Sequence, residues 1–142
     1  MEFRKEKESE KYDNLYYAKN ILAETLKTEF GLELFTMEEN KNLGQIIDVM
    51  KSNIIKSKFL ICDLSHKNNG AYFEGGFAEG LGKKVIYICD EGGDKKEAVN
   101  NIHFDKAQDM VIFYGSLGKG EAKNREDFIS KISSVITANF LD

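Results

Sequence analysis

Apolar residues recur along the chain with two periods, and the places where one period gives way to the other mark an alternation of helices and strands. Leu15, Ala18, Leu22 and Leu26 stand three and four residues apart among charged neighbours, the stripe of an amphipathic helix, and Gly31 ends it. Residues 32–37 alternate apolar and polar side chains over a short span, which predicts a strand. A polar loop follows at residues 38–42. Leu43, Ile46, Ile47, Met50 and Ile54 return to helical spacing as far as Ser57. Phe59, Leu60, Ile61 and Cys62 then form a continuous apolar run of the kind that suits a strand buried on both faces.

Beyond Asp63 a polar loop at residues 65–70 leads into a helix over residues 71–82, with Phe73, Phe77 and Leu81 on one stripe. Residues 85–89 are a second buried-strand run. Residues 90–101 read as a polar loop with room for one helical turn. Residues 110–114 predict a further strand, a Gly-rich turn follows, and Phe128, Ile129, Ile132, Val135 and Ile136 define a closing helix. Strands alternating with helices imply right-handed crossovers and a parallel sheet covered on both faces. The expected fold class is therefore α/β, a three-layer doubly wound sheet of the flavodoxin or Rossmann kind, in a single domain over residues 1–142. Such sheets normally open with their central strand, whereas Met1-Glu2-Phe3-Arg4 passes almost at once into helix-forming charge. The first strand is short or missing.

Composition narrows the partners. With 42% hydrophobic and 31% charged residues and no low-complexity tract, 142 residues can bury a real core, which excludes disordered and fibrous classes. A formal charge of −4 gives no general attraction to nucleic acid or to an anionic membrane. No apolar run approaches the roughly 20 residues of a membrane helix, and the charged N-terminus is unlike a signal-peptide core. The expectation is a cytoplasmic protein with no nucleic-acid or membrane partner. Cys62 and Cys89 each sit inside an apolar run without metal-ligand spacing, and are read as buried free thiols. No metal and no cofactor is expected.

Ligands of an open parallel sheet bind beyond the carboxyl ends of its strands. Asp63 closes one such strand, and the next helix carries Glu74 about one turn in, followed by Gly75 and Gly76. Glycine inside a helix costs roughly 1 kcal/mol relative to alanine, so a ligand or a neighbouring strand must approach the backbone there. From position alone Glu74 is equally a first-turn glutamate complementing the helix dipole, and Asp63 a cap for the following loop. Together, with Tyr72, Phe73 and Phe77 nearby, they would make a small semi-apolar pocket for a base and a sugar. Two carboxylates in different environments are what cleavage of a glycosidic bond requires. Gly115-Ser116-Leu117-Gly118-Lys119-Gly120 lacks the ending of a phosphate loop and reads as a turn. His66 reads as an exposed loop residue, and His103 as a residue at the site edge.

The runs from Ser57-Lys58-Phe59-Leu60-Ile61-Cys62-Asp63 through Asn68-Asn69-Gly70-Ala71-Tyr72-Phe73-Glu74-Gly75-Gly76-Phe77-Ala78-Glu79-Gly80 resemble the nucleoside 2-deoxyribosyltransferase-like superfamily, itself related in fold to the Toll/interleukin-receptor-like NAD hydrolases. His103-Phe104-Asp105 ahead of the 110–114 run resembles a motif of the subgroup with Toll-like affinities. The likeness covers roughly residues 46–136. It implies that Glu74 is the nucleophilic or oxocarbenium-stabilising glutamate and Asp63 the acidic residue closing the preceding strand, with Asn68, Gly70, Tyr72, Phe77, His103 and Asp105 around the substrate. Deoxyribosyltransferases proper carry another aspartate where this chain reads Asn68-Asn69-Gly70, which weighs against transfer specifically. Met1-Glu2-Phe3 resembles only the end of the family's first strand. The resemblance implies an enzyme that cleaves or transfers at the N-glycosidic bond of a nucleoside, nucleotide or NAD-like substrate. The alternative is a noncatalytic nucleotide-binding or Toll/interleukin-receptor-like signalling module. An uncovered sheet edge also leads us to expect a homodimer or larger homo-oligomer.

Overall fold

The computed structural model describes residues 6–35, 43–65, 69–92 and 111–140, without the side chains of residues 6–13, 43–47, 49–50, 69–72 and 140. The candidate first strand at residues 1–5, Asn68, His66, His103, Asp105, most of the 90–101 loop and the side chain of Tyr72 lie outside that description. The elements run α1 (Glu6–Phe30), α2 (Leu43–Lys56), β1 (Leu60–Asp63), α3 (Asn69–Gly80), β2 (Val85–Asp90), β3 (Val111–Tyr114) and α4 (Ala122–Phe140). Among the described residues no helix is long and apolar enough to cross a membrane.

The three strands form one parallel sheet in the order β1-β2-β3. Leu60 stands opposite Val85 and Asp63 opposite Ile88, while Asp90 stands opposite Tyr114. Successive side chains of a strand point to opposite faces, and β2 shows the consequence. Ile86 and Ile88 join Ala18, Leu22 and Leu26 of α1 and Phe128, Ile132 and Ile136 of α4 in one buried cluster. Tyr87 and Cys89 pack instead with Cys62 and Leu64, and Val85 with Ile54 of α2 and Ala78 of α3. Hydrophobic helix residues thus pack with alternate apolar residues of β2 in separate clusters. The mixed α/β architecture is compatible with a Rossmann-like fold, and both cysteines are buried free thiols.

One expectation is corrected, over the part of residues 32–37 that the structure describes. Residues 31–35 are irregular rather than the start of a strand. Gly31, at φ 65°, ends α1 as the sequence requires: its N–H donates to Lys27 O at 3.2 Å, and that of Leu32 to Leu26 O at 2.9 Å. Beyond it Leu32 and Leu34 are half-buried while Glu33 and Phe35 are exposed. The alternation correctly reports which side chains turn inward. A strand also needs a backbone partner, and a cavity lies between this segment and β1.

On α3, Phe73 is 55% exposed, Phe77 is half-buried against Ile54, and Ala78 is fully buried. A Cβ built on Gly75 would lie 2.7 Å from Tyr87 Oη, so the helix approaches β2 closely through this small residue. The glycine at position 75 therefore answers to a neighbouring strand.

Candidate functional site at the carboxyl end of the sheet

Because the strands are parallel, Asp63, Asp90 and Tyr114 all arrive at one end of the sheet as last residues of their strands. Ser65 ties them together. Asp63 Oδ1 accepts the Ser65 N–H at 2.9 Å and also the Ser65 hydroxyl. Ser65 Oγ in turn accepts the Asp90 N–H at 2.8 Å. Tyr114 donates its hydroxyl to Asp63 Oδ2 at 2.5 Å and stands 3.4 Å from Ser65 Oγ. From α1, Asn14 donates to Asp90 Oδ2 at 2.7 Å and to Gly115 O at 3.2 Å, and accepts the Leu117 N–H at 2.8 Å. Asp90 Oδ1 closes the turn after β2 by accepting the Gly92 N–H at 2.8 Å.

Burial decides the electrostatics of this cluster. Desolvation lifts the Asp63 carboxyl above its ordinary range, although the hydrogen bonds from Ser65 and Tyr114 pull the other way. Desolvation and the neighbouring Asp63 charge raise the Tyr114 phenol, fixing it as a donor. Cys89, pushed up to about 12 mainly by burial, is an inert thiol. Asp63 thus does the capping that its position allowed, with both carboxylate oxygens held inside the protein.

Asp63 nevertheless lines a cavity of about 530 Å³, as does Glu74, half-buried on α3. The two acidic residues expected to act together therefore border one space. Its apolar walls come from elsewhere than expected. Leu15, Leu22 and Leu26 of α1, residues 32–35 and the β1 residues Leu60 and Ile61 line it. Phe77 packs near Ile54 instead, and Phe73 and Phe77 face each other at 6.0 Å between ring centres. Gly70 lies in the first turn of α3.

Ser65, Tyr114, Asn14 and Asp90 were missed in the sequence. A tyrosine closing an otherwise apolar strand, and a serine two residues after a strand-ending aspartate, are signals that could have found two of them. No protein-family model, curated protein or solved structure matches the chain.

Proposed function

We propose that this chain is a three-layer, doubly wound domain of the nucleoside 2-deoxyribosyltransferase-like kind, cleaving or transferring at the N-glycosidic bond of a nucleoside, nucleotide or NAD-like substrate. The observation that carries this reading is the shared cavity of Asp63 and Glu74, two carboxylates in unlike surroundings at the ligand-binding end of a parallel sheet. Glu74 attacks the anomeric carbon or stabilises the positive charge that builds there as the base departs with the bonding electron pair. Asp63, bordering the same cavity, helps the leaving base depart. Water as the acceptor gives hydrolysis, and a second base gives transfer.

The experiment is incubation of the purified chain with a panel of nucleosides, nucleotides and NAD, followed by chromatography for free base. Release from at least one member is expected. A folded protein that releases base from none of them overturns the proposal. A second reading, a noncatalytic nucleotide-binding or signalling module, is favoured by the full engagement of Asp63 with Ser65 and Tyr114. It predicts binding without release.

A further inference from the structure

The donors that hold the Asp63 carboxylate come from two distant parts of the chain. The Ser65 N–H and hydroxyl take Oδ1, and the Tyr114 hydroxyl, from the end of β3, takes Oδ2 at 2.5 Å. With both oxygens engaged, the plane of the carboxylate is fixed. Ser65 is itself held, since its Oγ accepts the Asp90 N–H at 2.8 Å and Asn14 of α1 binds the Asp90 side chain. Tyr114 is held by packing, with its ring 5.0 Å from that of Phe128. Asp63 lines the cavity together with Glu74, whereas Tyr114, 1% exposed, stands in the core that α1 and α4 share. A hydroxyl so placed acts on a bound molecule only through Asp63. A core that needed only a ring here would be served by phenylalanine, because burying a phenol costs free energy unless its hydroxyl finds a partner.

We propose that Tyr114 and Ser65 are positioning residues of the site: through their hydroxyls they keep the Asp63 carboxylate charged and in one orientation beside the cavity. This role rests on the reading that Asp63 assists the departure of the base. Hydrogen bonds donated to a charged form favour that form, so the two hydroxyls oppose the effect of burial on Asp63. Among the described residues, the other titratable groups about Asp63 are Asp90 and Cys89 on β2 and, sharing its cavity, Lys19, Glu33, Lys56, Lys58 and Glu74. Tyr114→Phe leaves all of them in place. It also removes no charge, because burial and the Asp63 charge keep the phenol neutral. What the substitution takes away is one hydrogen bond.

The experiment follows the Asp63 carboxyl by NMR as the free chain is titrated, for wild type, Tyr114→Phe and Ser65→Ala, beside the pH profiles of kcat and KM for base release. In Tyr114→Phe the Asp63 midpoint is expected to rise by at least about one pH unit. Ser65→Ala, which keeps the backbone donor, should move it in the same direction. The limb of the kcat profile that follows Asp63 should move with it, while KM changes by less than about threefold. Residues with a purely structural role would lower activity alike at every pH. An unmoved Asp63 midpoint in either folded variant overturns the proposal, and so does a midpoint that moves while the kcat limb stays. A chain that releases no base overturns the role together with the reading beneath it. The NMR titration, which needs no substrate, tells that failure from a failure of the two hydroxyls to act on Asp63.

Discussion

The β3 side of the sheet and the β1 side are made from similar apolar runs, yet one is closed and the other open. At β3, Tyr114 stacks on Phe128 with ring centres 5.0 Å apart, and both are almost wholly buried. The turn after it is held by Asn14 and by Arg125, whose Nε donates to Leu117 O at 2.7 Å. At β1, which like β3 pairs with β2 alone among the described strands, Leu60 and Ile61 border a cavity. The closed side supplies the rigidity that fixes Asp63, and the open side supplies the space that Asp63 and Glu74 share.

Stability measurements should separate the two sides. Phe128→Ala, deleting a ring with no exposed surface, is expected to cost about 3–5 kcal/mol in urea unfolding. Ile61→Ala, at the half-buried edge, is expected to cost about 1 kcal/mol. Equal losses would erase the distinction. On α3, Gly75→Ala should cost about 1–3 kcal/mol, because the new methyl meets Tyr87. Gly76→Ala meets nothing and should stabilise the helix by up to about 1 kcal/mol. A neutral Gly75→Ala would mean that α3 does not lie so close to β2.

The buried aspartate gives a smaller, pH-dependent effect. Its folded-state value lies above the ordinary 3.8, so the fold prefers the protonated carboxyl. That contribution is full below pH 3.8 and is lost as pH rises through the elevated folded value. Wild type should therefore gain stability relative to Asp63→Asn as pH falls across that window. A difference between the two that is constant with pH would place Asp63 in an exposed setting.

Periodicity made much of this fold legible in advance. Ala18, Leu22 and Leu26 on α1, Ile132 and Ile136 on α4 and the runs that became β1, β2 and β3 repeat at the intervals their elements impose. Residues 32–35 misled because alternation records the facing of side chains, whereas a strand is a pairing between two stretches of chain. Gly75 was legible as a close approach, and its contact with Tyr87 makes the neighbour a strand. Asp63 and Glu74 were legible as candidates from one short stretch. Their setting was not, since Tyr114 meets Asp63 across 51 positions and Asn14 meets Leu117 across 103, and no local pattern carries such pairings.

The functional account stands on the carboxylate of Glu74. Its most direct test is the rate of base release by wild type and by Glu74→Gln, measured side by side on the best substrate of the panel, with unfolding midpoints recorded for both. The account predicts that the midpoints agree and that the rate falls by at least about 100-fold. A Glu74→Gln protein that keeps most of the wild-type rate would contradict it.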